Sequence, residues 1–326
     1  MKEPLYAARL NAFGIGAASY WPVKNKITAL DLIDRAATVD GLNCADLNYP
    51  DHFADASATQ LSARLSENGM ALNGLAMRYY TAPEFKIGAF TNPDPHIRAE
   101  AIDLTRRGID ALAQMGGQVM TLWMGQDGVD YAFQGDYGRL WDDTIAALTQ
   151  VAAHNPAIDI AIEYKPNEPR AFALMPDAAT TLLAVGECGA PNLGVTLDFA
   201  HVLYADEMPA HAAHLVARHS RLLGVHLNDG YGKRDDGLMI GSVHPVQTVE
   251  LFVEMERIGY DGPIYFDTFP DHSGLDPVAE ARTNVLAANQ LRAVAAKLRG
   301  NADLSAAIAR QDAAVSQRIV HRALYT

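Results

Sequence analysis

Short apolar runs alternate with longer amphipathic segments along almost the whole chain. The short runs show no regular exchange of polar and apolar positions, which is typical of strands buried on both faces of an all-parallel sheet. The longer segments repeat their apolar residues at helical spacing. Eight such strand–helix units follow one another. The pattern predicts an α/β fold, a closed (β/α)8 TIM barrel, with its working residues at the C-terminal ends of the strands.

The expected strands cover 10–16, 42–48, 70–77, 118–125, 159–164, 193–199, 222–228 and 262–269. The first helix opens at Thr28 as its N-cap, and the later helices cover roughly 56–69, 96–115, 139–153, 176–187, 209–218, 245–258 and 276–298. An additional alanine-rich helix follows these units. We therefore expect a catalytic barrel over 1–298 and a C-terminal helical extension over 299–326. The extension could fold onto its own barrel or pack on a neighbouring subunit, and we expect a homo-oligomer, either a dimer or a tetramer.

Four polar side chains end the apolar runs of the fifth to eighth predicted strands: Glu163, Asp198, His226 and Asp267. Burying a charge without a partner is costly, so four unrelated residues at matching strand ends are a poor explanation. Three carboxylates with one imidazole suit Mn²⁺, Co²⁺ or Mg²⁺ better than structural Zn²⁺. The sequence therefore predicts a divalent metal site, with Mn²⁺ as the first choice.

A second group of polar residues follows two of these strands. His201 lies three residues beyond Asp198, and Asp235 and Asp236 lie in the loop after His226. A turn after the sixth strand could direct His201 into the same cavity and create a two-metal site. The alternatives are a histidine at the start of a helix and two solvated loop aspartates. The sequence leaves open whether one or two metals bind and which of the two aspartates is a ligand.

Three more side chains are candidates for chemistry. Lys165 lies two residues after Glu163, and this spacing puts both on one face of a strand, where an ammonium could polarise a substrate oxygen. Trp123 ends the fourth strand and could form an apolar wall that excludes water. His52 is a candidate for sugar-ring opening or proton transfer. Each also has an ordinary explanation, as a surface lysine, a rim aromatic and a packed histidine.

Two loops, at 78–95 and 126–138, are expected to contact the substrate and determine which sugar binds. The residues in them that could line a pocket are Arg78, Tyr79, Tyr80, Tyr131 and Phe133.

Composition excludes several classes of function. The 326 residues include 26 Lys and Arg against 39 Asp and Glu, a net charge of −13, which argues against nucleic-acid and anionic-membrane partners. No apolar run approaches the roughly 20 residues of a membrane span, and the first residues lack an apolar signal core. Cys44 and Cys188 fit small core residues. These features predict a cytoplasmic protein with a small-molecule substrate.

The motifs resemble a known superfamily. The segments EYKP (163–166), LDFAH (197–201), HLND to RDD (226–236) and FDTF (266–269) are similar to those of the xylose isomerase-like TIM barrels, above all the branch of xylose isomerase and the bacterial L-rhamnose isomerases. The segment LWMG (122–125) resembles the Trp-Gly segment of that branch. The loop sequence KRDD departs from the Asp-x-Asp pattern of the family.

This resemblance implies a role for each position. Glu163, Asp198, His226 and Asp267 would hold a structural metal, whereas His201, Asp235 and Asp236 would hold the catalytic metal and its water. Lys165 would contact the sugar oxygen at the reacting end, Trp123 would be the hydrophobic wall, and His52 would match the ring-opening histidine loosely.

The function implied is a metal-dependent sugar isomerase that interconverts an unphosphorylated aldose and its ketose by a hydride shift. A ketose 3-epimerase is an alternative on the same barrel, and it normally uses a glutamate on each of strands five and eight. Asp267 at strand eight and Lys165 after strand five favour the isomerase. A lyase or dehydratase acting on a keto-sugar or an inosose is a further alternative.

Overall fold

A computed structural model describes residues 4–21, 26–270 and 274–325 of the chain. Its eight barrel strands are β1 (Tyr6–Arg9), β2 (Cys44–Tyr49), β3 (Ala71–Met77), β4 (Val119–Trp123), β5 (Asp159–Glu163), β6 (Leu193–Asp198), β7 (Leu222–Leu227) and β8 (Ile264–Phe266). All neighbouring pairs are parallel, and the sheet closes because β1 pairs with both β2 and β8. The predicted (β/α)8 barrel is confirmed.

The helices surround the strands in chain order. They are α1 (Ala17–Tyr20), α2 (Ala29–Ala36), α3 (Ala58–Glu67), α4 (Pro95–Gln114), α5 (Tyr137–His154), α6 (Ala178–Cys188), α7 (Phe199–Tyr204), α8 (Pro209–His219), α9 (Pro245–Ile258), α10 (Pro277–Arg299), α11 (Ala302–Ala309) and α12 (Ala313–Tyr325). None of the helices within the described residues combines the length and apolarity that a membrane crossing requires.

The start of α2 illustrates how local sequence fixes an element. Thr28 is the N-cap, and its hydroxyl accepts a hydrogen bond from the backbone N–H of Asp31 while the Asp31 carboxylate accepts one from the N–H of Thr28. This reciprocal pair satisfies two backbone donors that the first helical turn leaves free. The predicted helix start at Thr28 is confirmed.

The predicted first strand is wrong. Residues 10–16 do not form a strand, because Leu10–Gly14 is a 3₁₀ helix and β1 precedes it at Tyr6–Arg9. Leu10 and Phe13 are buried, so the apolar run reflects packing of a short turn against the core rather than a strand. The true strand is only four residues long and has the weak apolar signal YAAR. The other seven predicted strands overlap the observed ones.

Burial of the sheet on both faces explains the unbroken apolar runs. All six residues of β6 are buried; Val195 and Leu197 belong to the main apolar core that the strands share with the helices, whereas Ala7, Cys44 and Tyr265 form a separate small cluster. A polar side chain pointing into this barrel must therefore find its partners inside it.

The C-terminal extension consists of two helices, α11 and α12, rather than the single helix expected. Several apolar side chains of α12 pack against the core cluster, among them Ile319, Val320 and Leu324. The extension therefore folds onto its own barrel. The division at residue 298 stays a prediction, and residues 1–3 and 326, at its outer bounds, lie outside the described residues.

Candidate active site

The strand ends bring the four predicted metal ligands together. Asp198 and His226 are register partners across β6 and β7, Glu163 is the last residue of β5, and Asp267 directly follows β8. One ligand atom from each of the four lies within 4.8 Å of the others. Three of the residues are buried and Asp267 is half-buried. Parallel strands of a barrel end on one face, so their terminal side chains converge there.

Three carboxylates in this small space leave an excess of buried negative charge. Burial raises the pKa of Asp198 to about 7 and also raises that of Asp267. The His226 Nδ1 lies 3.2 Å from Glu163 Oε1, and although burial opposes it, the Glu163 charge raises the pKa of His226 to about 10. Asp198, Asp267 and His226 thus bind protons strongly at a place where a bound cation would otherwise compensate the negative charge.

His201 is positioned by two hydrogen bonds. Asp198 is the N-cap of α7, and its Oδ1 accepts the backbone N–H of His201 at 3.0 Å. The His201 Nδ1 lies 3.0 Å from the carbonyl oxygen of Tyr164, which can only accept, so Nδ1 carries the hydrogen. The other ring nitrogen, Nε2, lies 3.2 Å from Asp235 Oδ2. A histidine held in this way by a backbone carbonyl has the arrangement typical of a metal ligand.

The structure separates the two loop aspartates. Asp235 lines the cavity, and its Oδ1 is buried without a hydrogen-bond partner among the described residues. Both oxygens of Asp236 are used inside the loop, by the N–H of Tyr231 and by Nε of Arg234, each at 2.8 Å. Asp235 is thus the member of the pair that faces the candidate metal site.

Lys165 joins the metal cluster to this loop. Its Nζ lies 3.0 Å from Asp235 Oδ2 and 3.0 Å from Glu168 Oε2, and its side chain is only 8% exposed. Burial opposes the charge, but these two carboxylates outweigh it and raise the pKa of Lys165. Conversely, burial would raise the pKa of Asp235, but His201 and Lys165 hold it below its usual range. Lys165 is therefore a protonated ammonium inside the cavity.

Trp123 forms one wall of the same space. It is the register partner of Glu163 across β4 and β5, and Lys165 Nζ lies 5.5 Å from its ring centroid. The ring of Tyr80 meets it edge-on at 4.8 Å. A Cβ at Gly125 would come within 2.4 Å of the indole, so only glycine at that position leaves this ring in place.

The cavity that these residues line has a volume of about 290 Å³. Polar and aromatic lining residues to which sequence reasoning gave no role are Arg9, Asp46, Asn48, Glu168, Tyr265 and Phe269. Arg9 was missed because it ends the true β1, which the sequence placed one segment too late. Asp46 and Asn48 had a usable signal, because two polar residues at positions i and i+2 of an apolar strand share one face.

Several predicted residues lie elsewhere. His52 is not among the lining residues, and both its ring nitrogens are engaged, by the N–H of Asn48 at 2.9 Å and by Asn11 Oδ1 at 2.6 Å. Burial, with Arg78 nearby, lowers the pKa of His52 to about 4. Tyr79 is buried against Thr105.

The substrate loops contribute selectively to the cavity. Arg78 and Tyr80 line it, as expected of the loop at 78–95. The prediction for the loop at 126–138 is wrong for its aromatics, because Tyr131 and Phe133 are exposed to solvent and do not line the cavity.

Comparison with known proteins defines the family. The sequence profile described as "Xylose isomerase-like TIM barrel" matches residues 33–290. The chain belongs to this family. The profile covers the barrel from α2 into α10, including every strand end that contributes to the cluster. The superfamily to which the motifs pointed is thereby confirmed.

Two curated relatives of this xylose isomerase-like protein are named xylose isomerase. The protein of Thermus thermophilus is 29% identical over 224 residues, which are 67% of this chain and 58% of that protein. The protein of Thermus caldophilus is 28% identical over 240 residues, or 70% of this chain and 62% of that protein. The chain thus spans about three fifths of the length of these relatives.

Solved structures share the fold at lower identity. A xylose isomerase domain protein from Alicyclobacillus acidocaldarius superposes with a TM-score of 0.67 at 17% identity, covering 90% of this chain and 99% of that chain. The D-allulose 3-epimerase from Methylomonas sp. superposes with a TM-score of 0.68 at 18% identity, covering 89% and 99%. At these identities the superpositions show a common barrel.

Proposed function

We propose that the protein is a metal-dependent isomerase that interconverts an unphosphorylated aldose and its ketose by moving hydrogen between C1 and C2. One observation carries the proposal: Lys165 and His201 both meet Oδ2 of Asp235, at 3.0 and 3.2 Å, beside the four-residue cluster. This arrangement puts an ammonium donor next to candidate metal ligands in a cavity the size of a small ligand. The relatives named xylose isomerase support the same class of reaction.

The donor atoms fit divalent cations. Glu163, Asp198, His226 and Asp267 would hold one ion, because their ligand atoms already lie within 4.8 Å of one another. His201 with Asp235 would hold a second ion. Asp235 Oδ1 is free to bind it, because this buried oxygen has no hydrogen-bond partner among the described residues. When bound, such ions stabilise negative charge that develops on the substrate oxygens. The oxygen-rich set favours Mn²⁺, with Co²⁺ and Mg²⁺ as alternatives.

Lys165 would act at the reacting end of the substrate. Its ammonium is held by Asp235 and Glu168 and is charged at neutral pH, so it can donate a hydrogen bond to a carbonyl or alkoxide oxygen. Because the two carboxylates fix its position, little reorganisation is needed when charge develops on that oxygen.

The aromatic wall would control the route of the hydrogen. Trp123 and Tyr80 pack edge-to-face along the cavity and present apolar surface beside Lys165. Exclusion of water from the reacting carbons suppresses exchange of their hydrogen with solvent. The chain's own residues thereby favour direct transfer between neighbouring carbons over removal and return of a proton.

A ketose 3-epimerase is the second candidate, because Glu163 and Asp267 end the strands on which that chemistry places its two carboxylates. Superposing structures include L-ribulose 3-epimerase, with a TM-score of 0.68 at 17% identity. Here Asp267 is one methylene shorter than a glutamate and forms an ion pair with Arg9 at 3.3 Å. Together with Lys165, this favours the isomerase.

The test is a panel of aldoses and ketoses incubated with the metal-loaded protein in D₂O and followed by NMR. The isomerase predicts interconversion of an aldose and a ketose with little deuterium at C1 or C2. Deuterium at C3 identifies an epimerase, and an unsaturated or dehydrated product identifies a lyase. Absence of turnover with every sugar, with and without Mn²⁺, contradicts the proposal.

Four statements accompany the proposal as predictions from the sequence. They are Mn²⁺ as the physiological metal, a cytoplasmic location, a homo-oligomer of two or four subunits, and a boundary between barrel and extension near residue 298. The ring-opening role of His52 is not used, since both its ring nitrogens are engaged by Asn48 and Asn11 and His52 does not line the cavity.

A further inference from the structure

Three lysine and arginine side chains line the cavity, and two of them have close partners. Arg9 pairs with Asp267 at 3.3 Å and donates to the carbonyl oxygen of Thr268 at 3.3 Å. Lys165 is held by two carboxylates at 3.0 Å. The positive charges of Arg9 and Lys165 are thus already compensated by the protein.

Arg78 differs from both. Its guanidinium makes no hydrogen bond to any residue that the structure describes, and its Nε is buried without a hydrogen-bond partner among them. The nearest carboxylate oxygen, Asp51 Oδ2, is 3.9 Å from Nε. The side chain is only 18% exposed and lies over the ring of Tyr80 at 4.4 Å. A guanidinium offers five N–H donors in a fixed plane, so this site has unused capacity to bind an anion.

The location of Arg78 relates it to the far end of a substrate. Arg78 directly follows β3, and its guanidinium stacks on the ring of Tyr80. The ring of Tyr80 contacts Trp123, and the Trp123 ring in turn contacts the ammonium of Lys165. The aromatic wall thus connects the ammonium at the proposed reacting end to the guanidinium that follows β3, and β3 lies across the barrel from β7. A sugar lying along this wall would present its last carbon to Arg78.

We propose that the substrate is an acidic monosaccharide, with a carboxylate at the end remote from the reacting carbons, and that Arg78 binds this carboxylate. The inference rests on the proposed isomerase function and specifies its substrate class. A planar guanidinium matches a carboxylate through two parallel hydrogen bonds. Neutral hydroxyls could accept the same donors but would leave the largely buried guanidinium with only its long ion pair to Asp51, at 3.9 Å, to balance its charge.

The charge balance favours a carboxylate over a phosphate. A phosphate carries about −1.5 to −2 charges at neutral pH, whereas Arg78 is the one lining cation without a hydrogen-bonded partner among the described residues. Asp51 already adds negative charge beside Arg78, since its Oδ2 lies 3.9 Å from Nε. The volume of about 290 Å³ lies at the lower limit of ligand pockets, roughly 300 Å³, and suits a single sugar unit.

The experiment compares sugars that differ only at C6: D-glucuronate with D-glucose, and D-galacturonate with D-galactose. We would measure kcat/KM for the metal-loaded wild type and for R78M, R78K and R106M. Arg106 is a surface residue of α4 that pairs with Asp103, so R106M controls for loss of an arginine. The wild type should prefer the acidic member of a pair at least tenfold. R78M should reduce this preference about 10- to 100-fold through KM, as expected for loss of a charge-assisted bidentate contact, while R78K retains part of it.

Binding gives a readout that needs no turnover, and its comparison of two ligands on the wild type does not depend on variants folding. D-gluconate and D-glucitol are open-chain compounds that differ at one end by a carboxylate, and calorimetry should show tighter binding of gluconate to the wild type, weakened in R78M but not in R106M. Equal affinities, a preference for the neutral sugars, or a preference that survives R78M overturns the inference.

The two proposals fail in different ways. If neutral aldoses are isomerised and their acidic partners are not, the isomerase stands and the acidic substrate is wrong. If no sugar is isomerised but gluconate binds through Arg78, the proposed reaction is wrong and the carboxylate site stands.

Discussion

The ammonium of Lys165 lies 3.0 Å from Oδ2 of Asp235, although 70 residues separate them in the chain. Lys165 follows β5, and Asp235 lies in the loop after β7. Their contact links the predicted substrate-polarising group to the aspartate that also meets His201. Charge-assisted contacts of this kind, between side chains that are each only 8% exposed, can fix a catalytic cation before substrate arrives.

Replacement of Lys165 by methionine should lower kcat about 10²- to 10³-fold, the magnitude found when one preorganised donor to a developing charge is removed. Steady-state kinetics on the best sugar of the panel, with metal content measured in parallel, tests this. K165R should recover part of the activity, and K297M, at an exposed position of α10, should behave as wild type. A K165M enzyme with unchanged kcat would remove Lys165 from the reaction.

Replacement of Asp198 by asparagine should remove bound metal while preserving the fold. The amide oxygen can still accept the N–H of His201 and cap α7, so local structure survives. Mutation of a residue that only hydrogen-bonds to a metal ligand typically lowers metal affinity roughly 10- to 100-fold. Because Asp198 would itself be a ligand, D198N should lower the affinity by more than this. Metal analysis after dialysis, with circular dichroism as the folding check, measures the effect. The exposed variant D110N is the control, and unchanged metal content in D198N would show that the metal site is misassigned.

The metal-free protein should lose stability as pH rises from about 6.5 to 9. Burial opposes protonation of His201 and His226, but Asp198 and Glu163 outweigh it and raise the two pKa values to about 9 and about 10. In the unfolded chain both histidines have a pKa of about 6.5. The folded protein therefore holds more protons than the unfolded chain in this window, and the free energy of unfolding must fall as pH rises through it.

Thermal unfolding of EDTA-treated protein between pH 6.5 and 9.5 measures this slope. H226Q should flatten it, whereas the exposed variant H96Q should not. Saturating Mn²⁺ should reverse the trend, because metal binding releases these protons and strengthens with pH. A metal-free Tm that stays level or rises across the window contradicts the charge arrangement of the cluster.

An alanine at position 125 should displace the aromatic wall. The added Cβ would lie 2.4 Å from the Trp123 indole, closer than any real contact, so the ring must move. We expect G125A to change tryptophan fluorescence and to lower kcat/KM about tenfold or more, as a misplacement near the reacting carbons does. G186A is the matched control, because a Cβ there meets nothing within 4 Å and alanine suits the helix α6. Unchanged fluorescence and activity in G125A would show that the wall is dispensable.

The strand-end cluster was predictable because barrel geometry converts sequence order into spatial neighbourhood. Once β5 to β8 were recognised, Glu163, Asp198, His226 and Asp267 had to meet on one face. The orientation of a loop side chain has no such rule. Asp235 and Asp236 are adjacent in sequence, yet only backbone conformation directs one into the cavity and the other to Tyr231 and Arg234.

The half of the cavity formed by β1 to β3 was the less predictable part. Arg9 was lost with the misplaced first strand, where a buried 3₁₀ turn imitated a strand. His52 looked available in sequence but is fixed by Asn48 and Asn11 in the fold. Arg78 was visible as a loop residue, but its lack of a hydrogen-bonded partner among the described residues appears only in three dimensions.

The most direct test of the central claim follows one hydrogen atom. An aldose that the protein converts, carrying deuterium at C2, would be incubated in ordinary water with the metal-loaded enzyme, and the ketose analysed by NMR. A hydride shift behind the wall of Trp123 and beside Lys165 predicts that deuterium appears at C1 of the ketose in nearly every turnover. Loss of the deuterium to solvent, or the absence of any ketose from every aldose tried, would contradict the account.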